Sequence, residues 1–145
     1  TVTPLLIGQF LFYLHMYYSH WPRNYSSQWQ YGYKQLVEEV KSYYRDADHI
    51  IVSKHLGRPY IYFLFYNQYD PRQYLKTARI VRDEFFFIDV KGFDKFIFPD
   101  SVGETRPAGK NIYVTSGEIP PGATLLKTIT GLDSQVVFKI SSLSN

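Results

Sequence analysis

Apolar and polar positions divide the chain into two unlike parts. Residues 5–18 are almost wholly apolar, broken only by Gly8, Gln9 and His15, and they carry no formal charge. From residue 27 onward, apolar positions recur at the periods of regular secondary structure. The stretch 27–40 opens this second part and is predicted as its first helix. Tyr33, Leu36, Val37, Val40, Tyr43 and Tyr44 recur at three- and four-residue spacing and share one face. Lys34, Gln35, Glu38, Glu39 and Lys41 take the other face. Ser27, three residues before Gln30, fits a capping box at the start.

The pattern then alternates. Residues 49–53 place three β-branched side chains in a row between turn signals, which predicts a buried strand. After a turn at 56–59 comes the run 60–66, too apolar for periodicity to separate helix from strand. Helix is preferred, with Pro59 at its first position. Asp70-Pro71 predicts a short helix through Leu75, capped by the aspartate. Strands are predicted at 84–88, 95–98 and 111–115, with a polar Gly/Pro loop over 100–110. A hairpin follows, 125–130 and 135–140 around Gly131-Leu132-Asp133-Ser134. The fold expected is α/β, a mixed sheet flanked by helices in Rossmann-like layering and finished by an antiparallel hairpin. Residues 1–25 form an apolar helix end and exit segment, and residues 26–145 the soluble domain.

Two readings fit the apolar segment. It is the outer end of a transmembrane helix, or a buried helix of the core. At about 14 residues it is short of the ~20 needed to cross a bilayer, and it lacks the basic start and small-residue cleavage site of a signal peptide. The chain begins at Thr, as a fragment or processed product would. The membrane-derived reading is preferred, because Tyr13, Tyr17, Tyr18 and Trp21 would then lie at headgroup level. Pro22 is expected to end this helix.

Composition narrows the chemistry. The 45% hydrophobic and 20% charged content describes a folded chain, and the 19% aromatic share, with 14 Tyr and 11 Phe, is its unusual feature. No cysteine is present, which excludes disulfides, thiolate catalysis and Cys-ligated zinc. The net charge of +3 is dispersed, without the basic stripe that nucleic acid requires. Gly103 and Gly109-Lys110 superficially match a phosphate loop. The spacing is wrong, Pro107 interrupts it, and a strand follows where a helix N-terminus is needed. His15, His20, His49 and His55 have no metal-ligand spacing, and no serine has a credible base. No catalytic residue, metal site or cofactor is therefore assigned. The aromatic residues Trp21, Trp29, Tyr31, Tyr60, Tyr62 and Tyr66 are the candidates for stacking on sugar rings or lying against lipid headgroups.

One resemblance joins these pieces. The order Phe12-Tyr13-Leu14-His15, His20-Trp21-Pro22-Arg23, Trp29-Gln30-Tyr31-Gly32-Tyr33-Lys34, Pro59-Tyr60-x-Tyr62-Phe63-Leu64-Phe65-Tyr66 and Asp70-Pro71-x-x-Tyr74 resembles the C-terminal soluble region of glycosyltransferase family 39 membrane proteins, the dolichyl-phosphate-mannose–protein mannosyltransferase-like group. It is strongest over residues 12–75. The resemblance implies a polytopic parent that takes sugar from a polyprenyl-phosphate donor on the extracytoplasmic side, with its catalytic acid far upstream. This chain would then be a membrane-anchored accessory domain without catalytic residues. Its partners would be the membrane-embedded portion of the same protein and a glycan, peptide acceptor or polyprenyl-phosphate headgroup. The alternatives are a freestanding carbohydrate- or peptide-binding module, and a small nucleotide-type enzyme that the failed phosphate loop disfavours.

Overall fold

The computed structural model describes residues 2–26, 28–55, 57–82 and 84–144. Three adjoining helical segments open the chain: α1 (Thr3–His15), a π-helical turn (Met16–His20) and α2 (Trp21–Asn24). They lead to α3 (Tyr33–Tyr43), β1 (His49–Val52), α4 (Pro59–Tyr66) and α5 (Pro71–Thr77). Six strands follow: β2 (Arg79–Arg82), β3 (Ile88–Phe93), β4 (Phe96–Ile97), β5 (Lys110–Thr115), β6 (Thr124–Thr130) and β7 (Val136–Ser144).

All seven strands join one sheet in the order β2-β3-β4-β1-β5-β7-β6. The central strand β1 is parallel to β4 and β5. The pairs β2–β3, β3–β4, β5–β7 and β6–β7 are antiparallel. The expected α/β class, mixed sheet and closing hairpin are therefore present. These pairings make β2, β4, β1, β5 and β6 run one way and β3 and β7 the other. The end at which β1, β4 and β5 finish is called the carboxyl end below.

β1 is apolar and buried from Ile50 to Val52, where both of its faces are covered. Ile50 and Val52 join Phe96, Ile112, Val114 and Ile140 in the core, with Leu36, Val37 and Val40 of α3 and Phe63 of α4. Ile51 and Tyr113 lie on the opposite face, which loop 98–109 closes. There the Tyr113 hydroxyl donates to the Thr105 carbonyl at 3.0 Å, and Asn111 Nδ2 to the Pro107 carbonyl at 2.6 Å. α3 buries the predicted stripe, with Tyr33, Leu36, Val37 and Val40 almost inaccessible. Each such side chain stabilises the fold by about 1.5–3 kcal/mol. α3 and α4 pack against each other, with Tyr33 and Tyr62 stacked at 4.1 Å. In α5 Asp70 caps as expected, its Oδ1 accepting from the Arg72 N–H at 2.8 Å.

Three expectations need correction. The strand predicted at 84–88 is not there: residues 84–87 form the tip between β2 and β3, and Phe86 has φ +62°. β2 escapes notice because every position is exposed, so no apolar face marks it. β3 does alternate, but Asp89 and Lys91 hide the pattern. Pro22 does not end the opening helix. It lies in the first turn of α2, where a missing N–H is tolerated, and the turn before it widens so that the Trp21 N–H donates to the Met16 carbonyl. The helix predicted over 27–40 starts at Tyr33, after Gly32 at φ +96°, a left-handed value that glycine alone adopts freely. The capping box expected at Ser27 lies outside the described residues.

Candidate functional site

The carboxyl end gathers the parts of the chain that could meet a ligand. The residues before α3 start there, as do the loops after β1, β4 and β5 and the turns joining β2 to β3 and β6 to β7. In sheets of this kind ligands bind outside the carboxyl ends of parallel strands.

Where α2 meets the body, a groove of about 820 Å³ opens. Tyr13, Met16, Tyr17 and Trp21 line it from the opening helices, and Trp29, Tyr31 and Leu132 from the body. Its size falls within the range of small-molecule sites. Trp29 is 71% exposed, while Trp21 packs against Tyr25 with ring centres 4.4 Å apart. Ser26 also lines the groove. It is almost fully buried, and its Oγ has no hydrogen-bond partner. A buried hydroxyl without a partner is costly in an otherwise apolar setting.

On the other flank of α2, His15, His20 and Arg23 border a second groove with Tyr18 and Leu132. The His15 and His20 Nε2 atoms lie 3.2 Å apart and share a hydrogen bond. The widened turn makes this possible, because five residues then return to the same side of the helix. The sequence shows the five-residue spacing but not the π turn that makes it a contact. The signal that could have revealed it is Pro22 one turn later, which favours such a widening. One guanidinium and two imidazoles suit an anionic headgroup.

The six aromatic candidates fall into two sets. Trp21, Trp29 and Tyr31 share the groove. Tyr60, Tyr62 and Tyr66 do not line it. Tyr62 is sandwiched between Tyr33 at 4.1 Å and Tyr66 at 6.5 Å, and its hydroxyl donates to Gln30 Oε1. It thereby anchors the turn that carries Trp29 and Tyr31. Tyr60 sits edge-on to Phe98 at 6.5 Å, half-buried at the core's rim.

Below the carboxyl end, four charges that sequence reasoning did not connect form a closed ring. Lys54 Nζ lies 2.8 Å from Asp89 and 3.0 Å from Asp100, and Lys91 Nζ lies 2.8 Å and 2.7 Å from the same two carboxylates. Burial raises the Asp89 pKa, but the hydrogen bonds from Lys54 and Lys91 outweigh it, and the carboxyl is held below its ordinary value. Lys91 is pushed up by Asp100 and Asp89. The ring is internally neutralised. A cavity of only about 30 Å³ adjoins it, too small for a substrate. Its role is to tie the loops after β1 and β4 to β3.

The amino end is closed by polar contacts of a different kind. The Tyr44 and Tyr69 hydroxyls both donate to Asp94 Oδ2, and Lys95 Nζ donates to the Tyr44 and Ala47 carbonyls. Burial, then the Asp94 hydrogen bond, drives the Tyr44 pKa far above the tyrosine range, so the phenol stays a neutral donor. Loop 98–109 is likewise structural. Gly109 at φ +102° lies so close to Asp48 that a Cβ would meet Oδ2 at 2.4 Å, and the Lys110 N–H donates to that oxygen. Among the described residues no group of three or more His, Asp or Glu side chains could hold a metal ion.

Comparison of the chain with family models, with curated proteins and with solved structures finds no match.

Proposed function

We propose that the chain is a membrane-tethered, extracytoplasmic accessory domain of a polyprenyl-phosphate-sugar-dependent glycosyltransferase, with no catalytic group of its own. The observation that carries the tether is the opening helix. Helical turns run unbroken from Thr3 to Asn24, no charged side chain occurs before Arg23, and no residue is buried. Leu5, Leu6, Ile7, Phe10, Leu11 and Phe12 are each more than half exposed. A helix apolar on all sides is at home in a core or in lipid, and this one meets no core. Tyr13, Tyr17, Tyr18 and Trp21 follow at the end nearer the body, where headgroups would lie. No helix among the described residues is long and apolar enough to cross a membrane. α1 is about 20 Å long against ~30 Å of hydrocarbon, so in this reading it is the outer part of a longer span.

The transferase assignment rests on the resemblance over residues 12–75. In this reading the groove with Trp21, Trp29 and Tyr31 lies at headgroup height and helps position acceptor or donor. His15, His20 and Arg23 face the donor phosphate. α3 and α4, on one face of β4, β1 and β5, supply half of a Rossmann-like layering. The test is deletion of residues 26–145 from the parent enzyme. Transfer should fall or acceptor choice should change, and unaltered transfer to the same acceptors overturns the proposal. The sequence ahead of Thr1 offers a quicker check. The reading expects about ten hydrophobic spans, with acidic residues in the first outer loop.

A second reading, a carbohydrate- or peptide-binding module, is favoured by the groove itself, where two tryptophans meet an unsatisfied buried hydroxyl. Calorimetric titration with oligosaccharides and acceptor peptides separates the two, since a module binds them without the parent.

A further inference from the structure

We infer that the tip of the β2–β3 hairpin is a second point of contact with the lipid bilayer, so that the carboxyl end of the sheet faces the membrane. The inference rests on the tether proposed above and adds to it the orientation of the whole domain.

Phe85, Phe86 and Phe87 form that tip and are 79%, 77% and 62% exposed, among the most exposed apolar side chains of the protein. The local backbone gives no reason for phenylalanine here. Phe86 holds φ +62°, a left-handed value at which a tight turn ordinarily places Gly, Asn or Asp. A bulky ring at such a position works against the turn, and an exposed apolar triplet works against solubility. Residues that oppose both local propensity and water mark a surface that meets something apolar.

Topology says what. β2 runs with β1, so it finishes at the carboxyl end, and β3 starts there. The Phe85–Phe87 tip therefore projects from the carboxyl end. β6 also finishes there, which puts Leu132 of the β6–β7 turn at the same end. Leu132 lines the groove with Trp21, so the opening helix joins the body at that end too. The two apolar projections thus leave the same end of the sheet at its opposite edges. Six strand spacings separate β2 from β6, about 29 Å. Two apolar points that far apart at one end of a rigid sheet fix which end of the domain meets an apolar surface, and the tether already assigns lipid to one of them. Rings at headgroup and upper acyl depth are what a bilayer facing that end would receive.

The opposite end provides the control. Leu75 of α5, 77% exposed, lies one turn before β2 begins, at the amino end, and the inference keeps it in water. Because the chain contains no cysteine, Tyr13→Cys, Phe86→Cys and Leu75→Cys each accept a single environment-sensitive fluorophore. The full chain carrying each label would be reconstituted into phosphatidylcholine vesicles containing nitroxide-bearing lipid. Quenching at 86 should reach about half or more of that at 13, consistent with shallow interfacial insertion, and the label at 75 should be unaffected. Quenching at 13 without quenching at 86 overturns the inference and leaves the tether standing, as would be found if the tip instead met a protein surface. Equal quenching at 86 and 75 also overturns it, since the domain would then lie on the bilayer without preferred orientation. Quenching at none of the three overturns the tether itself.

Discussion

Phe63 and Phe65 stand two residues apart in the run that periodicity could not assign, and they give a sharp test of the fold. In a strand the two side chains would point the same way, whereas in a helix they diverge by about 200°. In α4 Phe63 is fully buried and Phe65 is 72% exposed. Phe63 meets Phe96 at 4.9 Å and Phe98 at 6.2 Å, and both of those pack on Phe93 at 5.1 Å and 5.8 Å. Phe93 and Phe96 belong to paired strands, and the Phe98 N–H donates to the Lys91 carbonyl at 2.8 Å, so the rings cannot easily collapse into the space it leaves. Phe63→Ala should therefore cost about 4 kcal/mol, the middle of the range for buried aromatic truncation. Phe65 meets the Tyr66 ring edge-on at 5.2 Å and otherwise faces outward, and Phe65→Ala should change stability by about 0.5 kcal/mol or less. Urea unfolding followed by circular dichroism in a mild detergent reads both. With a slope near 2 kcal/mol per molar, Phe63→Ala lowers the midpoint by about 2 M and Phe65→Ala barely moves it. Similar losses at both positions would refute the helix, and a loss below about 1 kcal/mol at Phe63 would refute the packing of α4 on the sheet.

Three further perturbations probe other parts of the molecule. At Gly92 a Cβ would stand 2.4 Å from the Phe96 carbonyl oxygen, so Gly92→Ala should destabilise by about 1–3 kcal/mol in thermal melts, whereas Gly103→Ala, with nothing within 4 Å, should not. Asp89 has its folded pKa below the unfolded value, so its contribution is present above about pH 4 and is lost as pH falls through the folded value. Asp89→Asn should cost under about 1 kcal/mol at neutral pH, since the carboxylate is 42% exposed and solvent screens its pairs. The gap from wild type should close as pH falls through the folded value in paired urea titrations, and it should narrow in high salt. In α1, Leu11→Lys puts a charge on the exposed apolar helix and should weaken vesicle partitioning by about 2.5–3.5 kcal/mol, read by flotation. An unchanged bound fraction counts against the tether.

Much of this fold is legible in the sequence because local and global preferences agree. The apolar run of β1, the stripe of α3, the Asp70-Pro71 start of α5 and the turn between β6 and β7 each say once what the tertiary structure repeats. The misreadings occur where those preferences part. Residues 84–87 carry strong strand propensity but form a turn, because β3 is fixed by pairing to β4 and β2 by pairing to β3. Pro22 signals a helix end but is absorbed by a π turn. The candidate site was legible as a list of aromatic residues and not as a place. Nothing in the chain before folding shows that Trp29 and Tyr31 line a groove with Trp21 while Tyr62 buttresses them from behind through Gln30. The ring of Lys54, Asp89, Lys91 and Asp100 joins Lys54 to residues 35 or more positions later in the chain, and only the sheet order brings them together.

The two ends of the sheet differ in a way that bears on function. At the amino end Tyr44 and Tyr69 converge on Asp94, and Lys95 satisfies the carbonyls that follow α3. These contacts seal polar groups that would otherwise be orphaned where the helix stops. At the carboxyl end the charges also neutralise one another, but apolar side chains are left outside the seal: the Phe85–Phe87 tip at one edge, Trp29 and Leu132 at the other. An end that needed only to be soluble could have been finished as the amino end is, with hydrogen-bonded tyrosines and lysines. The apolar residues sit beyond the ion ring, on the side where the opening helix joins. Leu75 apart, the amino end is thus finished with polar contacts, while the carboxyl end leaves apolar side chains exposed at both edges. That asymmetry fits a domain pressed end-on against a bilayer better than one swinging free on a linker.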